Sequence, residues 1–109
     1  MELIYVAGKY RADTEYGVTL NIRAAEDVEV RLARMGWAVI CPHKNSARLG
    51  GAAPNNEWLT MDMEIISRCD AIYLMKGWRQ SKGAVQEWRH AASLHLKVYE
   101  EGVREPPEV

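Results

Sequence analysis

The stretch that decides the fold is residues 71–99, AIYLMKGWRQSKGAVQEWRHAASLHLKVY. It begins with the apolar run Ala71–Met75 and ends with a second short apolar run, Leu96–Tyr99. Continuous apolar runs of this length indicate strands that are covered on both faces. Between them, a polar loop (Lys76–Lys82) leads into an amphipathic helix that we predict over Gly83–His95. The residues of this helix that we expect to face inward are Ala84, Trp88, Ala91 and Ala92.

The residues before position 71 show the same alternation of strand and helix. Leu3–Ala7 is a buried apolar run that ends at Gly8, and Trp37–Cys41 is a second one. Between these two runs, apolar residues at helical spacing predict an amphipathic helix: Val18, Ile22, Ala25, Val28, Leu32 and Met35. A further helix is predicted over Glu57–Arg68. The loop between the second strand and this helix, residues 43–56, is long enough to suggest a functional or mobile segment.

Alternating strands and helices predict a parallel sheet with right-handed crossovers. We therefore predict one α/β domain over residues 1–100, a doubly wound three-layer sandwich with helices on both faces. The expected order of its four parallel strands is 2-1-3-4. Residues 101–109, which contain two adjacent prolines, are predicted to be a C-terminal tail.

Composition excludes several classes of protein. The 109 residues carry 14 Lys and Arg against 15 Asp and Glu, a formal net charge of −1. A general nucleic-acid binder usually needs a strongly basic face, so we expect no nucleic-acid polymer as a partner. No apolar run approaches the roughly 18 residues of a membrane span, and the first residues are typical of a strand and not of a signal peptide. We therefore expect a cytoplasmic protein without a membrane partner.

Two cysteines and the absence of familiar cofactor motifs limit the chemistry further. Cys41 and Cys69 are too few for a disulfide scaffold and are expected to be buried, reduced thiols. Neither the dinucleotide-binding glycine motif nor the P-loop motif is present. Cys41 and His43 are two residues apart but lack a second pair of ligands. We therefore expect no cofactor and no metal site.

The predicted topology indicates where a ligand would bind. Open parallel sheets bind ligands beyond the carboxyl ends of their strands, where the strand order reverses. Here this position corresponds to the loops after strands 1 and 3, which contain Gly8–Arg11 and Gly77–Gly83. The loop after strand 2, with His43, lies beside them.

Ser81, Gly83 and Glu87 form the most informative pattern in the chain. Ser81 can cap the predicted helix, and Gly83 leaves the free N–H groups of its first turn accessible to an anion. Gly83 and Glu87 are four residues apart, and therefore lie on one face about one turn, ~5.4 Å, apart. A phosphate at the helix start would bring the sugar of a nucleoside monophosphate near the Glu87 carboxylate, as nucleophilic glycosyl transfer requires. A capped surface helix with a solvated glutamate is the alternative.

Two other acids are candidates for a second carboxyl. Asp62 lies between Met61 and Met63 in the predicted second helix. It could hold a proton for a departing base, or it could be solvated. Asp70 directly precedes strand 3 and is better explained as a residue of the helix-to-strand turn.

Several cationic and aromatic residues have open roles. Lys9 and Arg11 follow strand 1 and can pair with a phosphate or belong to a solvated loop. The hydroxyl of Tyr5 could reach the site, or the ring could simply pack in the core. Trp58 and Trp78 could stack on a base, although packing is the more common role of tryptophan.

Taken together, these residues resemble the nucleoside 2-deoxyribosyltransferase superfamily, in particular its small, largely uncharacterised branch from phages and bacteria, of the DUF4406 type. The resemblance covers residues 3–99 in order. Its most specific parts are the segment from Ser81 to Glu87 and the step from Asp62 to Asp70. The other matching segments are Ile4–Gly8 with Tyr10 and Arg11, Cys41–Asn45, Trp58, Cys69–Ala71 and Gly77-Trp78.

The resemblance implies a flavodoxin-like sheet and the cleavage or exchange of N-glycosidic bonds in a nucleoside or nucleoside 5′-monophosphate. By this resemblance, Glu87 would be the nucleophile that forms a covalent glycosyl-enzyme. Asp62 would contact a sugar hydroxyl or assist the base, and Tyr5 would orient the nucleophile. The resemblance also implies a homodimer or a larger homo-oligomer.

The resemblance further implies that Gly8, Arg11, Ser81 and the backbone near Gly83 hold the 5′-phosphate. Lys9 departs from the pattern, because proline is common at this position in the small branch. Two alternatives remain at this stage. One is a non-catalytic nucleotide sensor with the same fold, and the other is a partner-binding protein that uses its tryptophan-rich loops.

Overall fold

Four parallel strands in the order β2-β1-β3-β4 form the sheet, which confirms the predicted topology. We describe residues 1–45 and 52–108 from a computed structural model. The strands are β1 (Leu3–Ala7), β2 (Ala38–Ile40), β3 (Ala71–Leu74) and β4 (Lys97–Glu100). β1 pairs with β2 on one side and with β3 on the other, so it is a central strand.

Helices connect the strands on both faces of the sheet. They are α1 (Glu15–Arg34), α2 (Pro42–Asn45), α3 (Asn55–Ile66) and α4 (Lys82–Ser93), and a single 3₁₀ turn covers Trp78–Gln80. The long segment predicted as a loop contains α2 at its start, and its residues 46–51 lie outside the described residues. The three-layer α/β architecture follows directly from the alternation of buried strands and amphipathic helices.

The core has two halves, one on each face of β1 and β3. Alternate residues of a strand point to opposite faces: Ile4 and Val6 pack against α1, whereas Tyr5 and Ala7 lie in the cluster that includes residues of α3 and α4. Tyr5 is fully buried, yet its face is the one that carries the candidate acids. Cys41 and Cys69 are buried free thiols, as expected.

The helix boundaries differ from the prediction by a few residues, and capping explains the largest difference. α1 begins at Glu15, ahead of the first periodic apolar residue Val18, because the Thr14 side chain accepts a hydrogen bond from the N–H of Gly17. Apolar periodicity does not detect such an exposed first turn, whereas an N-cap residue does. The expectation that Ala92 faces inward is wrong, since it is exposed near the end of α4.

The residues predicted as a tail pack back onto the α1 face. The Nε1–H of Trp37 donates to the carbonyl oxygen of Pro107 at 3.2 Å. The hydroxyl of Tyr73 donates to Glu105 at 2.7 Å, and Arg31 pairs with the same carboxylate at 3.2 Å. These contacts cover the sheet on the side away from the candidate acids. None of the helices within residues 1–45 and 52–108 is long and apolar enough to span a membrane.

Candidate active site

A cavity of about 990 Å³ lies at the carboxyl end of the sheet, in the position expected from the topology. Its walls come from the loop after β1, the first turns of α1, the start of α2, the side of α3 that carries Asp62, and the first turns of α4. Gly8, Asp62, Ser81, Gly83 and Glu87 all line it. Residues that are far apart in the sequence therefore meet here because parallel strands place their carboxyl ends at one edge.

Glu87 reaches this cavity from the second turn of α4. Its side chain is only 7% exposed. The hydroxyl of Tyr5 donates a short hydrogen bond to Glu87 Oε2. Tyr5 is held rigidly in the middle of β1, so this bond fixes one carboxyl oxygen, while Oε1 has no hydrogen-bond partner in the described structure. The structure thus places Glu87 in the cavity rather than on a solvated helix face.

Asp62 lies across from Glu87 in the third turn of α3. It lines the same cavity and is partly buried. Its charge is close enough to raise the pKa values of both Glu87 and Tyr5. No cationic side chain of the described residues forms an ion pair with either acid. The two carboxyls therefore face the cavity without a counter-ion.

Burial dominates the protonation of this pair. Desolvation raises the pKa of Glu87 to about 8, with a further rise from the charge of Asp62, although the Tyr5 hydrogen bond lowers it. Desolvation also raises the pKa of Asp62 to about 6, again offset by Tyr5. The pKa of Tyr5 itself is raised by burial and by both acids, so its hydroxyl stays protonated and acts as a donor. Near neutral pH the two carboxyls together hold about one proton.

The start of α4 forms the opposite wall. The N–H of Ala84 donates to Ser81 Oγ at 3.2 Å, which makes Ser81 the N-cap and leaves its hydroxyl proton free to donate. In the described part of the chain, the N–H groups of Lys82 and Gly83 have no acceptor. A Cβ added at Gly83 would meet only Ser81 Oγ, at 3.9 Å, so this surface is open to a ligand. An anion can bind at such a helix start.

The loop after β1 supplies the cationic side chains at the mouth. Lys9 and Arg11 line the cavity, and neither forms an ion pair within residues 1–45 and 52–108. The Lys9 side chain runs across the turn after β3, where a Cβ added at Gly77 would lie 3.2 Å from Lys9 Cε. Gly77 has a φ of 83°, which favours glycine. Gly8 is tightly packed, because a Cβ there would come within 2.8 Å of Met75.

The structure separates the two candidate tryptophans. Trp58, in the first turn of α3, lines the cavity and is partly exposed. Trp78 is buried against Trp88, with ring centroids 5.4 Å apart, and does not line the cavity. Stacking on a base is therefore open to Trp58, whereas Trp78 has a packing role.

His43 and Asp70 each form a hydrogen bond with the main chain. His43 lines the cavity but is only 4% exposed, and its Nε2 lies 2.8 Å from the carbonyl oxygen of Lys9. Burial lowers its pKa, which favours a neutral ring. Asp70 accepts a hydrogen bond from the N–H of Leu3 at 2.7 Å, which confirms its interpretation as a structural turn residue.

Sequence reasoning missed several polar residues that line the cavity. Lys82 adds a third cation at the mouth, and Asn21 of α1 contacts the loop after β1. Asn56 and Gln86 add amide groups. The position of Lys82 beside the predicted cap was a usable signal, but nothing in the sequence marked Asn21.

A family model described as "Domain of unknown function (DUF4406)" matches residues 2–100, nearly the whole chain. The chain belongs to the DUF4406 family. The match spans every strand and helix that forms the cavity, so the site belongs to the DUF4406 domain itself. None of the curated proteins matches the chain. Within the described residues of this DUF4406 protein, no group of three His, Cys, Asp or Glu side chains is arranged to hold a metal ion.

Proposed function

We propose that this protein cleaves or exchanges the N-glycosidic bond of a nucleoside or nucleoside 5′-monophosphate, with Glu87 as the nucleophile. The observation that carries the proposal is the buried Glu87 carboxyl, which is hydrogen-bonded to Tyr5 and lies near Asp62. The cavity that holds it also contains a helix N-terminus at which an anion can bind. The resemblance to nucleoside 2-deoxyribosyltransferases supports the same roles for the same residues.

Substrate binding uses the two ends of the cavity. The 5′-phosphate accepts hydrogen bonds from Ser81 and from the N–H groups that begin α4, and it pairs with Arg11 and Lys9. The base lies against the wall formed by Trp58 and Leu59 in α3. Glu87 lies one helical turn from Gly83, so it is next to the sugar.

The reaction proceeds in two displacements. Ionised Glu87 attacks the anomeric carbon through Oε1 while the bond to the base breaks, and the departing nitrogen takes a proton from Asp62. The product is a glycosyl ester of Glu87. Asp62 then deprotonates a water molecule, which attacks the same carbon and releases the sugar and the Glu87 carboxylate. A second base in place of water gives exchange.

The hydrogen bond of Tyr5 has a defined part in this scheme. It stabilises the ionised form of Glu87 against the desolvation that raises its pKa. It also holds Oε2, so that Oε1 is presented to the sugar. Between about pH 6 and 8 the pair holds one proton, which lies mainly on Glu87 in the free protein because its pKa is the higher of the two. The productive form is the minor one that carries this proton on Asp62 and leaves Glu87 ionised.

The test is release of free base from a panel of nucleosides and 5′-monophosphates, followed by liquid chromatography. Wild-type protein should release base from at least one phosphorylated member, and Glu87→Gln should abolish the release. Glu64→Gln, an exposed change on α3, is the matched control. With Asp62→Asn, hydrolysis of the ester should slow, so that intact-protein mass spectrometry detects the glycosyl adduct. Undiminished release by Glu87→Gln would refute the assignment.

A nucleotide sensor would give a different result in the same panel. Nucleotides would raise the melting temperature without release of base, and Glu87→Gln would retain the affinity. The expected homodimer or larger homo-oligomer is a separate prediction, tested by light scattering.

A further inference from the structure

The loop after β1, residues 8–13, is held through its carbonyl groups by side chains from two other elements. The first is His43 at the start of α2, which follows β2. A carbonyl oxygen can only accept, so the proton of the ring is on Nε2 and is donated to Lys9 O at 2.8 Å. The ring is buried and meets Tyr10 edge-on, with centroids 6.0 Å apart. This anchor comes from the β2 side of β1.

The second anchor is Asn21 in the second turn of α1. Its Nδ2 group donates to the carbonyl oxygen of Tyr10 at 3.1 Å and lies 3.4 Å from that of Arg11. Consecutive carbonyls of the loop are therefore directed toward α2 and α1. Both anchors are polar side chains; His43 is 4% exposed, whereas Asn21 is only partly buried.

Peptide geometry determines where the adjacent N–H groups point. All peptide bonds described are trans, and in a planar trans peptide the N–H of the next residue points opposite to the carbonyl. The carbonyl of Tyr10 points to Asn21 of α1, so the N–H of Arg11 points away from Asn21. In residues 1–45 and 52–108, the N–H groups of Arg11 and Ala12 donate to no protein atom. They remain available to a ligand.

We propose that His43 and Asn21 are positioning residues: by fixing carbonyl groups of the loop after β1, they hold the main-chain N–H groups of Arg11 and Ala12 as an anion-binding loop for the substrate phosphate. Successive N–H groups on one side of a loop form a concave anion site. This loop faces the helix start at Ser81 and Gly83 across one cavity, so the phosphate is bound between two sets of backbone donors. The inference rests on the proposed action on nucleotides and explains how they are distinguished from nucleosides.

The experiment measures binding of three probes by calorimetry: a nucleoside 5′-monophosphate, the same nucleoside without phosphate, and inorganic phosphate. Asn21→Leu and His43→Leu remove the donors at similar volume. His43→Gln keeps an N–H near the position of Nε2. Thr19→Leu, an exposed change in α1, is the matched control.

We expect Asn21→Leu and His43→Leu to weaken the monophosphate and inorganic phosphate about tenfold, the value of one well-formed hydrogen bond. Affinity for the nucleoside should be unchanged, and His43→Gln should recover most of the loss. In turnover, the effect should appear in KM for the monophosphate and not in kcat. A merely structural role would weaken the nucleoside as well. If His43→Leu does not fold, Asn21→Leu and His43→Gln decide the question.

Three results would overturn the inference. They are unchanged phosphate affinity in the leucine variants, equal losses for nucleoside and monophosphate, and a wild-type protein that binds neither phosphate probe. The failure of the proposed function looks different, because wild-type protein would then bind phosphate normally but release no base.

Discussion

Replacement of Glu87 by glutamine should make the protein more stable at alkaline pH, relative to wild type. The pKa of the Glu87 carboxyl rises from an ordinary 4.5 to about 8 on folding, chiefly by desolvation. A group whose pKa is raised in the folded state stabilises the fold fully below its unfolded pKa. That contribution is lost as the pH rises through the folded value. Glutamine stays neutral throughout, keeps the volume and can still bond to Tyr5.

The magnitude follows from the two pKa values. Each pKa unit corresponds to about 1.4 kcal/mol, so ionising Glu87 in the fold costs at most about 5 kcal/mol. The true cost is smaller than this upper bound, because water that enters the open cavity solvates the ionised carboxylate. Small domains have a total stability of only about 5–15 kcal/mol, so the effect is large enough to measure.

The assay is urea unfolding followed by tryptophan fluorescence, at intervals from pH 5 to 9. The free energy of unfolding of wild type should decline against that of Glu87→Gln from about pH 5 and level off above about pH 8. Asp62, Cys41 and Cys69 titrate in both proteins, so their contributions largely cancel in the difference. Glu64→Gln, which breaks only an exposed pair with Arg68, should shift the curve by less than about 1 kcal/mol without changing its slope. Parallel curves for wild type and Glu87→Gln would show that desolvation does not raise the pKa of the Glu87 carboxyl.

Three further outcomes follow from the same site. The pH profile of kcat/KM should be bell-shaped with limbs near pH 6 and 8, because both carboxyls are protonated below it and both are ionised above it; a flat profile would contradict the pair. Tyr5→Phe should lower kcat and move the upper limb to higher pH, because the Tyr5 hydrogen bond lowers the pKa of Glu87 and its removal raises that pKa; an unmoved limb would exclude the contact. Gly8→Ala should destabilise the fold by about 1–3 kcal/mol in thermal unfolding, because its Cβ would clash with Met75; an unchanged melting temperature would show that Met75 can move away.

The topology was predictable because each element has a local signal. The apolar runs Leu3–Ala7 and Ala71–Met75, separated by helices with apolar residues at helical spacing, indicate a buried parallel sheet. Parallel strands then require their carboxyl ends at one edge. The topology alone therefore predicts a ligand site at the loops that hold Gly8 and Gly83, and the cavity lies there.

The spacing from Gly83 to Glu87 shows the limit of this reasoning. It put both residues on one helix face, but the same four-residue step fits a solvated glutamate. Only the packing of α4 against β1 brings Tyr5 and Glu87 together, from positions 82 residues apart in the sequence. The raised pKa values depend on that burial, so they could not be inferred from the sequence.

The sequence pattern was also insufficient for Trp78 and Asn21: it suggested a site role for Trp78, which does not line the cavity, and none for Asn21, which does. Trp78 lies in a loop at the correct edge of the sheet, but packing against Trp88 turns it away from the cavity. Asn21 lies in the middle of a helix without any motif, but the path of the chain after β1 brings two carbonyls to it. The sequence alone determined the alternation of strands and helices, and with it the parallel sheet and the edge at which a ligand would bind, since these follow from local periodicity. The direction of each side chain, and the chemistry it can perform, was decided only by contacts between elements far apart in the chain.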